Sequence, residues 1–369
     1  MKMENKNLNM PNITVGEVVE MLSMLYSNSI KNNLSFKGIP TPFLWGPAGI
    51  GKSEAIVQLA ERLEKTTGKN TSITDVRLLL FSPVDLRGVP VADEHKKFSN
   101  WLMPKIFDMN PDNNHINILF FDELSAAPQS VQAAAYQICL DRKIGEHKLP
   151  DNCIVVAAGN RTTDQSVSYK MPKALCNRLM HFNIETNYKA WIKWAVAHGI
   201  DSRIIGYLAF DNSKLCVEPE SSDMAYPTPR SWSFVSNLLK TTAAADIESV
   251  HHLISACVGT DTALEFESWA KSHNELPNVE DVLNGRCSKY PGSYDALLAF
   301  TASIISAIRT RRERITSQEL ENVCVYIKKF PTDFAMTFYS DLNAMEDIRL
   351  KLMKCPSCQN WLVKNKRFI

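Results

Sequence analysis

The chain has 369 residues, 45% of them apolar and 22% charged, a composition that excludes an intrinsically disordered protein. At about 150 residues per domain the length allows two compact units and a small third. Lys and Arg number 41 against 40 Asp and Glu, a formal net charge of +1, which lacks the basic surplus typical of proteins dominated by phosphate-backbone binding.

The N-terminus, from Met1 to Ile13, is polar and Asn-rich and has no apolar core of a secretory signal. The longest apolar stretch, Ala296 to Ile308, is interrupted by Thr301, Ser303 and Ser306, and a membrane-spanning helix needs about 20 apolar residues. Nine cysteines are an odd number, mostly scattered singly, which argues against a disulfide framework. The expectation is a soluble, cytoplasmic protein with no membrane partner.

In chain order, Thr14 and Glu17 form a T-x-x-E capping box ahead of Val15, Val18, Val19, Leu22 and Leu25, predicting an amphipathic first helix that ends near Ser27 to Asn33. Phe43 to Trp45 reads as a strand and Lys52 to Leu63 as a helix with Ile56, Leu59, Ala60 and Leu63 inward. Val76 to Phe81, Ile118 to Phe121, Cys153 to Ala158 and Met180 to Ile184 read as four more strands, with a helix over Gln129 to Leu140. Short apolar strands without clean alternation are what a parallel sheet covered on both faces requires. Beyond Glu185 the strand signal fades, and Tyr188 to His198, Ser231 to Lys240, Ile247 to Val258, Tyr294 to Ile308 and Ser317 to Lys328 read as helices. The chain is therefore expected to be an α/β domain followed by a helical one, with the boundary between 185 and 225.

Gly46-Pro47-Ala48-Gly49-Ile50-Gly51-Lys52-Ser53 matches G-x-x-x-x-G-K-[ST], after a predicted strand and opening a predicted helix. Glycines let such a loop fold around a polyphosphate, while backbone N–H groups and the helix N-terminus supply positive potential. Lys52 is placed to reach the β- and γ-phosphates of ATP, and the Ser53 hydroxyl to ligate Mg²⁺. Downstream, the strand Ile118 to Phe121 ends in Asp122-Glu123. An acidic residue at that place holds Mg²⁺ in P-loop enzymes, and the neighbouring Glu123 is placed to polarise the attacking water.

Three further residues follow. Asn160, at the tip of the strand from Cys153, is placed to orient the lytic water, or else serves as a turn residue. Arg178 precedes the last strand. Arg230 follows Thr228 and Pro229, an N-cap and a first helical position. A cation there opposes the helix dipole, so a compensating anion such as a nucleotide phosphate is expected, or else Arg178 and Arg230 are each a solvated surface charge.

This ordered set resembles the AAA+ ATPases, and in particular the MoxR-like branch of the helix-2-insert group. Pro83-Val84-Asp85-Leu86-Arg87-Gly88, Trp101 to Pro104, Asp122 to Pro128 and Pro331 to Phe334 are similar to segments of that branch, and the resemblance covers about residues 14 to 335. It implies a P-loop AAA+ domain with a parallel five-stranded sheet in the order 5-1-4-3-2 and a C-terminal all-helical lid. The corresponding division is an N-terminal helical segment over 1–35, the ATPase domain over 36–186, the lid over 187–335 and a tail over 336–369. By resemblance, Gly46 to Ser53 form Walker A, Asp122 and Glu123 Walker B, Asn160 sensor 1 and Arg230 sensor 2. Arg178 is then the arginine finger that acts on ATP in a neighbouring subunit. Members usually form hexameric rings that remodel proteins or insert metals, often with a partner carrying a von Willebrand factor A-type domain.

The segment between Gly88 and Trp101 is short and charged, so an insert hairpin here is small; Arg142 to Leu149, with Gly145 as its turn, corresponds to the pre-sensor hairpin. Cys355-Pro356-Ser357-Cys358 has no second ligand pair and reads as two free thiols. Arg309, Arg311, Arg312 and Arg314 read as a solvated helix end, or else as a subunit contact or a nucleic-acid touchpoint, and Trp191 and Trp194 as core. The leading function is an ATP-driven motor that remodels or assembles a protein. The alternatives are a nucleic-acid motor or loader, disfavoured by the charge balance, a metal-chelatase-type motor subunit, and a nucleotide-holding switch, disfavoured by Glu123.

Overall fold

The computed structural model describes residues 10–161, 164, 169, 171, 173–220, 222–242, 247–272, 277–312 and 314–364. Most of the polar N-terminal stretch, residues 1–9, lies outside the described residues. The chain divides into two compact units, 1–187 and 188–369.

In the first unit, β1 (Asn12–Ile13) leads into α1 (Val15–Lys31) through the capping box, with the Glu17 N–H donating to the Thr14 hydroxyl at 3.3 Å and the Thr14 N–H to the Glu17 carboxylate at 2.8 Å. The chain continues through β2 (Thr41–Trp45), α2 (Lys52–Thr67), β3 (Asn70–Arg77) and α3 (Pro83–Arg87). A hairpin follows, β4 (Val89–Ala92) and β5 (Ser99–Leu102), then β6 (His115–Asp122) and α4 (Gln129–Asp141). A second, smaller hairpin, β7 (Lys143–Ile144) and β8 (His147–Lys148), turns at Gly145. The unit closes with β9 (Cys153–Gly159), α5 (Lys173–Cys176) and β10 (Leu179–Ile184).

Six strands form one parallel sheet in the order β1-β10-β2-β9-β6-β3. The five expected strands are there in the expected order, and the count is corrected to six. The added strand, β1, is two residues of a polar segment without an apolar run. It is held at the edge by the Asn183 and Glu185 N–H groups, which donate to the Pro11 and Ile13 carbonyls at 3.0 Å, and by the Asn183 amide, which donates to Asn12 Oδ1 at 2.8 Å. The strand expected over Val76–Phe81 is also corrected. β3 begins at Asn70, stops at Arg77, and gives way to a 3-10 turn over Leu78–Leu80. As an edge strand paired only with β6, β3 keeps polar residues on much of its length, so its period was hidden, while Leu79 and Leu80 are exposed outside the sheet.

Both faces of the central strands are buried. Phe43, Leu119, Phe121, Val155 and Ala157 pack with Val131, Ala135 and Ile138 of α4. The alternate residues Ile118, Phe120, Ile154 and Val156 are equally inaccessible, as the period of two along a strand demands of a sheet covered twice.

The second unit contains no strand among its described residues. Its helices are α6 (Tyr188–Ala197), α7 (Ser202–Phe210), α8 (Pro229–Thr241), α9 (His251–Val258), α10 (Thr260–Ser272) and α11 (Val279–Leu283). They continue as α12 (Tyr294–Thr310), α13 (Ser317–Ile327), α14 (Thr332–Asn343), α15 (Glu346–Leu352) and α16 (Pro356–Lys364). The core is aromatic. Tyr207 meets Trp232, Phe266 and Trp269 at centroid distances of 5.7, 5.4 and 6.2 Å, mostly edge-on, the arrangement the ring quadrupoles favour. Trp191 joins this core, whereas Trp194 is only partly buried and stacks on His198 at 4.5 Å. Among the described residues no helix is long and apolar enough to cross a membrane.

The basic run at the end of α12 is held within the unit. Arg309 donates to the Val196 carbonyl at 2.6 Å, Arg311 pairs with Glu280, and Arg312 Nε reaches both Asp347 oxygens at 2.8 and 2.6 Å. These three ties join α12 to α6, α11 and α15, while Arg312 and Arg314 remain exposed, in keeping with a solvated helix end.

Close helix approach in this unit depends on Gly206 of α7. A Cβ there would lie 2.5 Å from the Trp269 ring and 2.7 Å from the Ala299 Cβ of α12. Gly206→Ala is therefore expected to lower stability by about 1–3 kcal/mol through overpacking, read as a shift of the urea midpoint. An unchanged midpoint would show that the two helices separate freely.

Candidate active site

The site lies at the C-terminal ends of β2, β9 and β6. Pairing sets Trp45 opposite Gly159 and Phe121 opposite Ala157, so the residues that follow these strands leave the sheet together. Ligands of open parallel sheets bind outside such strand ends.

The loop from Gly46 to Gly51 is shaped by backbone freedom. Gly46 has φ of +151°, where a Cβ would meet the Ile50 side chain at 2.5 Å and the Ile184 carbonyl at 2.9 Å, and Gly51 has φ of +104°. Gly51 is also the N-cap of α2 and offers no side-chain oxygen. The first-turn N–H groups of a 16-residue helix thus have no capping side chain, which is the usual arrangement for receiving an anion.

Lys52 opens α2 and is 8% exposed. Its ammonium donates to the Gly46 and Pro47 carbonyls at 2.6 and 2.8 Å and to Asn160 Oδ1 at 2.9 Å. The adjacent Ser53 donates its hydroxyl to Asp122 Oδ2 at 3.0 Å, and the other Asp122 oxygen accepts the Glu123 N–H at 2.9 Å. The structure thereby brings together the Gly46–Ser53 loop, Asp122, Glu123 and Asn160, which are spread over more than a hundred residues of sequence. Asn160 acts here through its amide oxygen on Lys52, a contact that its reading as a turn residue does not contain.

Glu123 has φ of +59°, a left-handed conformation that costs a residue with a Cβ roughly 1–2 kcal/mol. The turn is imposed from both sides, with the Leu124 N–H donating to the Ala158 carbonyl at 2.9 Å and the Ala126 N–H to the Glu123 carbonyl at 3.0 Å. Among the described residues its carboxylate has no hydrogen-bond or ion-pair partner. Strain of this kind is typically kept where a side chain must be aimed.

Arg178 is exposed in the turn between α5 and β10, with no ion pair among the described residues. Arg230 belongs to the second unit. It is exposed in the first turn of α8, where Thr228 and Ser231 form the capping box.

Two residues of the site region escape the sequence patterns. Asp75 of β3 is raised above the usual carboxylate range, first by burial and then by the Asp122 charge, with Arg77 opposing. Recognising that the strand began at Asn70 would have exposed it. Ser125 bonds both backbone groups of Asn160 at 2.9 Å, and no motif in the chain signals that contact.

The donors fit a small hard cation bound with a polyphosphate. Ser53 and Asp122 offer one hydroxyl and one carboxylate side by side, and Mg²⁺ characteristically takes few protein oxygens and completes its shell with water and phosphate. Among the described residues no group of three or more His, Cys, Asp or Glu is arranged to hold a metal by itself. Cys355 and Cys358, at the start of α16, are free thiols packed with Cys324. Hydrogen bonding from Cys324 holds both below the usual thiol range, and the same bonds, with burial, push Cys324 up.

No protein-family model matches the chain, and no curated protein does. Among solved structures it is similar to PCH-2 of C. elegans, with 17% identity, 70% of this chain and 69% of that chain covered, and a TM-score of 0.35. It is also similar to a RuvB mutant of Thermotoga maritima, with 15% identity, 84% and 89% coverage and a TM-score of 0.36. A third likeness is to the ORC2 protein of Aeropyrum pernix, in complexes with ADPNP and ADP, with 13% identity, 98% coverage of each chain and a TM-score of 0.34. These likenesses are distant, and the chemistry of the site rests on the residues of this chain.

The backbone at Glu123 makes a measurable claim. Glu123→Gly and Glu123→Ala both remove the carboxylate, but only glycine relieves the left-handed turn. The glycine variant is expected to be more stable than the alanine variant by about 1 kcal/mol, measured by denaturant unfolding. Equal stabilities would mean that the turn carries no strain.

Proposed function

We propose that the chain is a Mg²⁺-dependent ATPase of the AAA+ type that uses ATP hydrolysis to remodel or assemble a protein partner. The observation that carries this reading is the double convergence at one place, Lys52 with Asn160 and Ser53 with Asp122, at the uncapped start of α2.

In this reading the backbone N–H groups of Gly46 to Gly51 receive the phosphates. Lys52 exchanges its neutral carbonyl partners for phosphate oxygens, since an anionic acceptor adds a charge–charge attraction to the ammonium that a neutral carbonyl does not offer. Ser53 and Asp122 hold Mg²⁺, which neutralises phosphate charge when bound. Glu123 accepts a proton from the attacking water, and Asn160 orients that water once Lys52 has turned to phosphate.

Arg178 is exposed and uncommitted among the described residues of its own unit, which suits a guanidinium offered to ATP on a neighbouring copy. We read the assembly as a ring, a hexamer by resemblance, with Arg230 as a sensor on the helical unit serving as a lid. The MoxR-like assignment adds a client with a von Willebrand factor A-type domain. Arg309, Arg311 and Arg312 each have a partner within their own unit, and the near-zero net charge speaks against a nucleic-acid motor.

Lys52→Ala is expected to abolish binding of a fluorescent ATP analogue without unfolding the chain, and retained affinity would reject the loop as the nucleotide site. A mixing experiment tests the shared interface. Arg178→Ala and Glu123→Gln subunits should each be nearly inactive alone, since an arginine supplied in trans is worth ~10³–10⁵ in rate. Combined, they should regain part of the hydrolysis. Absence of rescue at every ratio would place the arginine function within one subunit.

A further inference from the structure

Ser125 lies two residues beyond Glu123 and is 1% exposed. Its hydroxyl accepts the Asn160 N–H at 2.9 Å and donates to the Asn160 carbonyl, also at 2.9 Å. Both backbone groups of one residue are thus tied to a single oxygen. The Ser125 carbonyl accepts the Tyr169 N–H at 2.7 Å and the Gln132 side-chain amide at 3.3 Å. The serine is therefore bonded to the tip of β9, to α4 and to Tyr169.

Space around the hydroxyl is reserved. A Cβ on Gly159 would lie 2.5 Å from Ser125 Oγ and 2.9 Å from its Cβ. Gly159 has no left-handed conformation that calls for glycine, so its missing side chain serves the close approach of Ser125 and, less tightly, of the Phe43 ring, whose Cζ would lie 3.0 Å from that Cβ. A buried hydroxyl in two short bonds, opposite a glycine that makes room for it, is a built contact. Its bonds join the turn that carries Glu123 to the residue whose amide holds Lys52.

We propose that Ser125 is a positioning residue for hydrolysis, one that sets the Glu123 carboxylate at a constant offset from the Asn160 amide. The inference rests on the ATPase reading above and adds a residue to its machinery. The Ser125 hydroxyl both accepts from and donates to the Asn160 backbone. It acts through Asn160, so its loss should appear in turnover and not in nucleotide affinity, because misplacing a catalytic group costs rate far more than binding.

The test is a double-mutant cycle on the full chain, with steady-state ATP hydrolysis and binding of a fluorescent ATP analogue as readouts. Ser125→Ala is expected to lower kcat by about tenfold or more, with KM and analogue affinity within about twofold of the parent. In an Asn160→Ala background the same change should cost less than about twofold, because the group it positions is gone. Gly159→Ala, which keeps the serine but crowds its hydroxyl, should reproduce the kcat-selective loss. A Ser125→Ala enzyme with parental kcat, or a loss that multiplies fully with Asn160→Ala, overturns the proposal. So does loss of cooperative unfolding in both Ser125→Ala and Gly159→Ala, which would make the contact one of stability. A parent chain that hydrolyses no ATP overturns the ATPase reading itself, whereas an active parent with an indifferent Ser125→Ala overturns only the positioning role.

Discussion

The register of three parallel strands is the constraint on which the site depends. β2, β9 and β6 are locked so that Trp45 faces Gly159 and Ala157 faces Phe121. Each strand therefore delivers its next residues, Gly46, Asn160 and Asp122, to a common edge. Slipping one strand by two residues would preserve its buried face yet move its tip by about 6.6 Å, far beyond the 2.9 and 3.0 Å bonds of Lys52 and Ser53. Register is held by burial on both faces, with Phe43, Leu119 and Val155 on one side and Ile118, Phe120 and Ile154 on the other. A single-residue slip would exchange these two sets, each fitted to a different layer of helices.

On that edge the residues of the candidate site take local conformations that the chain would not choose alone. Gly46 and Gly51 take backbone angles closed to other residues, and Glu123 takes one that a side chain resists. Sheet and turn hydrogen bonds supply the compensation, through Gly46 N–H to the Gly159 carbonyl and Leu124 N–H to the Ala158 carbonyl. Strain and support are thus concentrated in the same few residues. This arrangement suits a site meant to hold charge in a set geometry.

The helical unit is organised differently. Its aromatic cluster around Tyr207 and Trp232 gives a dense interior, and α7 and α12 approach closely because Gly206 has no side chain. Charges that look surplus in the sequence are consumed as ties between helices, as with Arg312 and Asp347 or Arg311 and Glu280. The Cys355–Cys358 pair, which in sequence is an isolated C-x-x-C, is completed by Cys324 from α13 into a buried thiol group.

The Gly46–Ser53 loop, the apolar strands and the capping box at Thr14 were legible in the sequence alone, because each is encoded by residues close together in the chain. Glycines at set intervals permit a loop, a run of Ile, Leu and Phe predicts a buried strand, and Thr14 with Glu17 closes a helix end within one turn. β1 and the true extent of β3 were not legible, since an edge strand is defined by its neighbour and not by its own composition. The Lys52–Asn160 bond, the hold of Ser125 on Asn160 and the left-handed turn at Glu123 likewise arise only when distant strands are paired. Local sequence determined which chemical groups this protein possesses. Tertiary structure decided which of them meet, because a hydrogen bond across 108 residues of sequence exists only after sheet register has removed the chain's freedom to place its ends elsewhere.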